Sequence, residues 1–242
     1  MSFKSTNPPR FGFTRDVLRG LLMVAYASAP VFGADNSVDI DTKGTSTSIY
    51  IKQSGSGNTA RVWCGLSAGT YVSHTCSSAT IRLTQTGTGN LAKAFSQYTN
   101  HQSNQYEIQQ NGSSNVGYID ADEDSNEMSI SQTGSDMYGE IYMSGNSNVY
   151  QIQQTGSGSH YAKFYAFGDD STWTATQSGS GNHNAYIKSS NNSNNNDATI
   201  TQSGSGNKDG DIEFRNNPSD NSTINLTQSG AGQHAGNILV KQ

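Results

Sequence analysis

Three groups of residues in this sequence have types and spacings that can do chemistry: an acidic run, two cysteines and a recurring glutamine. In the acidic run DADEDSNE, Asp120, Asp122 and Asp124 match the first three ligand positions of a calcium-binding loop. The sixth position of that loop is Ser125 rather than Gly, and the twelfth is Ser131 rather than Glu. The pattern therefore favours an acidic arc whose charges slow premature stacking, and we predict no metal site and no cofactor.

The two cysteines, Cys64 and Cys76, enclose the segment GLSAGTYVSHT. In an oxidising compartment this spacing predicts a disulfide that closes a small excursion of the chain. A metal site or a catalytic thiol needs further partners, and His74 alone does not supply them.

A glutamine recurs eight times, and each copy is followed two residues later by a glycine. Neighbouring copies are 22 to 32 residues apart, a period that is typical of a solenoid. The interval of 32 contains both cysteines, so an insertion after the first repeat explains it. The repeated residues are Gln53, Gln85, Gln110, Gln132, Gln154, Gln177, Gln202 and Gln228.

Apolar residues alternate with polar ones before each glutamine, which predicts a half-buried strand with the glutamine on the buried face. A glycine-rich turn follows, and then a second strand of the pattern small–x–apolar, as in Ala60-Arg-Val62. In the last four repeats the turn carries one extra residue, which we expect a bulge or wider arc to absorb. The predicted core residues of the first strands are Ile49, Ile51, Ile81, Leu83, Ile108, Ile130, Ile152, Ile200, Ile224 and Leu226.

These elements predict an all-β fold, a β-solenoid or cross-β stack of about eight strand–turn–strand repeats with two facing parallel sheets. A buried amide must pair its donors and acceptors, and identical amides stacked at rung spacing pair with each other. We therefore expect the eight glutamines to form a ladder.

The N-terminus has the features of a secretion signal: basic residues, the short apolar stretch LLMVAYASAPVF and small residues near Gly33. We predict a signal peptide over 1–33, a short segment over 34–46 and the repeats over 47–242. No later stretch is long and apolar enough for a membrane span. The formal net charge of −5 disfavours binding to nucleic acid.

The repeats resemble those of the curlin family, the secreted bacterial functional amyloids, whose pattern is Ser-x5-Gln-x4-Asn-x5-Gln. The central Gln is kept in every repeat, whereas the final Gln of the family pattern is missing from all eight. The Ser position holds Ser171 and Ser222, or the similar Thr47, Asn104, Asn126, Asn148 and Asn196, and departs at Ala79. The Asn position is kept at Asn58, Asn90, Asn115, Asn182 and Asn207, and holds Met137, Ser159 and Gln233 elsewhere.

This resemblance implies a subunit that is exported unfolded and assembles head to tail with copies of itself into adhesive fibres of the biofilm matrix. Its other implied partners are further curlin subunits and a curli-type secretion apparatus, and its implied location is the outside of the bacterial cell. The kept Asn residues then join the Gln residues in self-assembly.

The sequence shows no nucleophile elbow, zinc-protease motif or phosphate-binding loop, so we expect no enzyme. The alternative function is a secreted monomeric β-solenoid that binds polysaccharide or ice through a regular outward Thr array. Thr84, Thr176, Thr201 and Thr227 share one position of the repeat, but Lys52, Gln109, Ser131 and Gln153 interrupt that column.

Overall fold

The computed structural model describes residues 23–24, 35–42, 47–64, 79–96, 104–122, 124–189, 195–215 and 221–241. All regular structure in these residues is β-strand, and the strands in chain order are β1 (Met23–Val24), β2 (Asp39–Thr42), β3 (Ser48–Tyr50), β4 (Arg61–Cys64), β5 (Thr80–Arg82), β6 (Lys93–Ser96), β7 (Gln105–Gln109), β8 (Gly117–Asp122), β9 (Glu127–Ser131), β10 (Tyr138–Ser144), β11 (Val149–Gln153), β12 (His160–Phe167), β13 (Thr172–Thr176), β14 (His183–Ser189), β15 (Asp197–Gln202), β16 (Lys208–Arg215), β17 (Thr223–Gln228) and β18 (His234–Lys241).

The strands form two nine-stranded parallel sheets, which confirms the predicted β-solenoid. The odd-numbered strands build the first sheet and the even-numbered strands the second, each in the order of the chain. The chain therefore alternates between the sheets and advances by one rung with every repeat. Apart from Met23–Val24, the predicted signal peptide lies outside the described residues.

Equivalent residues of successive repeats pair with each other, so each side chain lies in a column of like side chains. Ile108 pairs with Ile130, and Ile130 with Ile152. In the second sheet Ile119 pairs with Ile141. Because inward and outward positions alternate along a strand, this constant register keeps the apolar residues of all repeats in one core.

The small residue of each second strand makes room for the opposite sheet. A Cβ added at Gly117 would lie 2.5 Å from Ile130 Cγ2, and one at Gly139 would lie 2.8 Å from Ile152 Cγ2. At Gly210 the added Cβ would lie 2.6 Å from Leu226 Cδ1. The two sheets thus interdigitate, with branched side chains of the first sheet packed over the glycines and alanines of the second.

The turns fall into two types, and the change between them absorbs the extra residue, as predicted. Gly139 still pairs with Ala162 although the second of these lies one residue farther from its glutamine. In the first four turns the left-handed conformation falls on Ser56, Thr88, Ser113 and Ser135, with φ between 84° and 99°. In the fifth turn Ser157 and Gly158 both have a positive φ, of 36° and 140°, and from the sixth turn onward the positive φ falls on glycines alone, among them Gly181 with φ of 139°.

The predicted short N-terminal segment contains an additional half-rung. Strand β2 pairs with β4, and Val38 and the buried Ile40 join the core. Asn36-x-Val38-x-Ile40 thus occupies the places that Asn58-x-Ala60-x-Val62 fills one rung later. This match was missed from the sequence because the segment has no glutamine of its own.

Replacement by alanine should affect stability to different extents at two glycines that hold the same place in the repeat. A Cβ at Gly181 would lie 1.9 Å from the carbonyl oxygen of Gly158, whereas the same atom at Gly89 makes only ordinary contacts, the nearest at 3.5 Å. We expect Gly181→Ala to lower the free energy of unfolding by more than about 1 kcal/mol and Gly89→Ala to leave it nearly unchanged. Urea unfolding of the two variants checks this, and equal midpoints would contradict the two turn types.

Candidate functional site

The repeated glutamines form a buried column at the end of the first sheet. Seven of the eight side chains are at most 2% exposed, and the eighth, Gln228, lies on the last rung and is partly buried. Several donate Nε2 to a carbonyl oxygen of their own rung, at 2.7 Å from Gln154 to Tyr161 O and 2.8 Å from Gln177 to Asn184 O. This bond orients the amide across the interior and ties the first strand of a rung to the second.

Adjacent glutamine amides also bond to each other, in two runs. The Nε2–Oε1 distances are 2.6, 2.7 and 2.8 Å from Gln53 to Gln132, and 3.1 and 3.0 Å from Gln177 to Gln228. Gln154, in the repeat where the turn type changes, bonds to neither neighbouring amide, and its Oε1 is buried without a partner. The ladder is therefore interrupted where the turn changes.

A second amide column lies at the turn, and it comprises Asn36, Asn58, Asn90 and Asn115. Nδ2 of each of the last three donates to Oδ1 of the preceding asparagine, over 2.9, 2.7 and 2.6 Å. Asn58, Asn90 and Asn115 are at most 1% exposed. The column therefore bonds four consecutive rungs through side chains alone.

The prediction that Asn182 and Asn207 belong to this column is wrong, because both side chains are exposed. The extra turn residue moves them outward and brings the next residue, His183 or Lys208, into the buried place. Met137 and His160 occupy the same place in the two rungs between Asn115 and His183. His234 occupies it on the last rung. Counting back from the small residue of the second strand, rather than forward from the glutamine, finds these residues in the sequence.

The two buried histidines lie against each other. Nδ1 of His160 is 3.2 Å from Nδ1 of His183, and the rings meet edge to face. Burial, and then the neighbouring His183, lower the pKa of His160 to about 4. Burial also lowers the pKa of His183, with a further contribution from Lys208, while its bond to the Gly179 carbonyl acts in the opposite direction.

A third column lies at the arc that leads into the first sheet, at the position six before each glutamine. Its side-chain oxygens accept the backbone N–H of the same position one rung earlier, for example Asn126 Oδ1 from Asn104 N at 2.8 Å and Asn196 Oδ1 from Ser171 N at 2.7 Å. Asn, Ser and Thr all carry such an acceptor. Ala79 has none, but its own N–H still donates to Asn104 Oδ1 at 2.6 Å.

The predicted core residues lie where expected. Eight of the ten are buried, while Ile224 and Leu226 are partly buried because they lie on the last rung that the structure describes. Tyr106, Tyr150 and Trp173 also lie in the core, which makes them wall residues rather than a ligand platform.

Outward aromatic pairs in two columns of the second sheet were not predicted. Trp63 stacks on Phe95 with ring centroids 4.1 Å apart, and Tyr138 stacks on Tyr161 at 5.1 Å. The signal is present in the sequence, because an aromatic residue recurs at outward positions of consecutive second strands.

The acidic run is not a continuous arc. Asp120 and Asp122 lie in strand β8, and Asp120 accepts a hydrogen bond from Tyr118 Oη at 3.2 Å. Asp124 instead accepts from the backbone N–H of Asn146 on the next rung, at 2.5 Å. Among the described residues, no three His, Cys, Asp or Glu side chains converge as metal ligands do.

Cys64 is buried and disulfide-bonded, and Cys76, the other cysteine of the chain, lies outside the described residues. Within the part of the chain that is described, no helix is long and apolar enough to cross a membrane. No protein-family model, no curated protein and no solved structure matches this chain.

The glutamine column should make a measurable contribution to stability. Gln110 is buried and bonds to both neighbouring amides and to Val116 O at 2.5 Å, whereas the adjacent Gln109 is exposed. We expect Gln110→Ala to lower the free energy of unfolding by about 2 kcal/mol or more, since it leaves buried amides without partners. Gln109→Ala is the matched control and should stay within about 0.5 kcal/mol of the wild type. Chemical denaturation measures both, and equal losses would contradict a structural role for the ladder.

The buried histidines should make stability depend on pH. His160 has a pKa of about 4 when folded and of about 6.5 when unfolded, so the unfolded chain binds more protons between these values. The contribution of His160 is therefore complete above pH 6.5 and is lost as the pH falls towards 4. We expect the free energy of unfolding to decline over that window and His160→Gln to flatten the decline.

Denaturation at a series of pH values measures this slope. His234→Gln, on the exposed last rung, is the matched replacement of a histidine in the same column. A slope that His160→Gln leaves unchanged would contradict the assignment to His160.

Proposed function

We propose that this protein is a secreted structural subunit that assembles head to tail into extracellular fibres, in the manner of curlin amyloids. The observation that carries the proposal is the last rung. Within the described residues no strand pairs with the outer edges of β17 and β18. On this rung Ile238 and Val240, which occupy core columns, are 48% and 46% exposed.

The interior columns supply the physical reason for growth. Most buried amides bond to an equivalent amide of a neighbouring rung, so an end rung leaves polar and apolar groups that a similar rung can cover. At the other end of the glutamine column, Gln53 is 1% exposed and its Oε1 has no hydrogen-bond partner. A contact between opposite ends of two copies does not close on itself and therefore propagates.

Adhesion, a place in a biofilm matrix, export by a curli-type apparatus and location on the bacterial surface belong to this proposal through the resemblance of the repeats. The constancy of the columns supports a structural role rather than catalysis. The polar side chains that recur in the repeats form hydrogen bonds to the equivalent positions of neighbouring rungs. The acidic side chains, in contrast, occupy different places in different repeats.

Assembly from denaturant tests the proposal. The full chain, diluted and left to assemble, should form fibres whose diffraction shows a meridional spacing near 4.7–4.8 Å. Ile238→Lys with Val240→Lys places two charges on the exposed end rung and should abolish growth. Tyr142→Lys, on an outward position in mid-stack, should not. A chain that stays soluble and monomeric would overturn the proposal.

One observation favours the second candidate, binding of ice or a crystalline polysaccharide. The last three strands of the first sheet carry an outward array in which Thr174 pairs with Thr199, Thr176 with Thr201, and Thr201 with Thr227. Such a grid repeats at about 4.8 Å between strands. If the chain stays monomeric, ice-growth inhibition or cellulose retention that Thr174→Lys with Thr201→Lys removes would establish this function instead.

A further inference from the structure

We propose that the half-rung Asp35–Thr42 is the edge onto which the last rung of a second copy docks, through pairing of β18 with β2. The inference rests on the proposed head-to-tail assembly and specifies the joint. It concerns a segment that has no repeated glutamine and that would otherwise be taken for a short linker before the repeats.

The first reason is that this segment is already built as part of the stack. Strand β2 pairs in parallel with β4, and Val38 O accepts the N–H of Arg61 at 3.0 Å. Asn58 Nδ2 donates to Asn36 Oδ1 at 2.9 Å, which extends the asparagine column by one rung. A copy that docked on β4 would have to break these bonds first.

The second reason is that β18 and β2 match column by column. Ile40 pairs with Val62, and Ile212 pairs with Ile238, so Ile40 and Ile238 occupy the same inward column at opposite ends of the stack. Ile238 is 48% exposed, and no strand of the described residues covers it. Docking of β18 on β2 places Ile238 over Ile40, and Gly236 over Val38.

The third reason is that both edges are unpaired and mutually compatible. Within the described residues, β2 and β18 are the two outer strands of the second sheet. The outward neighbours at the joint are Asp39 and Asn237, so no like charges oppose each other, and both side chains are exposed. Each edge offers the N–H and C=O groups that a parallel partner strand requires.

The same geometry predicts what happens in the first sheet. Since β2 stands one strand beyond β3, pairing of β18 with β2 holds β17 away from β3 by the width of one strand. In the described chain that position next to β3 is held by β1, where Val24 pairs with Tyr50. Because β1 lies within the predicted signal peptide, the joint is specified by the second sheet alone.

Cysteine cross-linking distinguishes the possible joints, because neighbouring strands bring equivalent Cα atoms within reach of a disulfide. Three double variants of the full chain report on three contacts: Asp39→Cys with Asn237→Cys for β2–β18, Arg61→Cys with Asn237→Cys for β4–β18, and Tyr50→Cys with Asn225→Cys for β3–β17. All five substituted positions face outward, so each variant should fold. The native cysteines are kept, and the products of mild oxidation after assembly are separated without reductant.

We expect a ladder of covalent multimers from Asp39→Cys with Asn237→Cys, and monomers from the other two variants. A ladder from either of the others would overturn the inference, since β18 would then meet β4, or β17 would meet β3. Fibres that form without the β2–β18 cross-link would overturn the joint and leave the assembly proposal standing. A wild-type chain that forms no fibres would overturn both.

Discussion

The structure depends on one constraint, which is that the buried polar groups of a rung are satisfied largely by the neighbouring rungs. The glutamine amides, the asparagine amides at the turn and the side-chain acceptors at the arc all bond along the stack. Leaving a buried amide without a partner costs more free energy than a typical hydrogen bond contributes. Neighbouring rungs therefore need matching polar side chains. This explains how a chain with only 32% hydrophobic residues holds an ordered interior.

The same constraint shows where the protein departs from uniformity. In the fifth repeat the turn lengthens and the glutamine ladder is interrupted at Gln154. The column at the turn holds amides up to Asn115, then Met137, and from the fifth repeat onward His160, His183 and Lys208. A side-chain amide does not titrate and keeps both a donor and an acceptor, whereas an imidazole loses its acceptor when it is protonated. The two halves of the solenoid therefore have the same core but different electrostatic behaviour.

Much of this architecture could be predicted from the sequence. The strand of each repeat follows from apolar alternation before the glutamine, and the count of glutamines gives the number of strand–turn–strand rungs apart from the half-rung at β2. The inward side of Ile108 or Ile130 could be assigned without coordinates, because a register that changed by one residue would expose it.

The missed features have specific causes. Asn182 and Asn207 lie at the same distance from the glutamine as Asn58 and Asn90, but the extra turn residue decides which side chain points inward. The half-rung around Asn36 has no glutamine to mark it. The stacking of Trp63 on Phe95 depends on columns that become clear only once the register is fixed.

The arcs vary in length, whereas the strands of the repeat keep a constant register. Gln53 and Gln85 are separated by 32 residues and Gln110 and Gln132 by 22, yet each pair of amides is bonded, at 2.6 and 2.8 Å. The length of chain between two stacked glutamines can therefore differ by ten residues while their amides remain bonded. This makes the arcs natural places to insert a foreign peptide, which assembled copies would then display at intervals set by the length of one subunit.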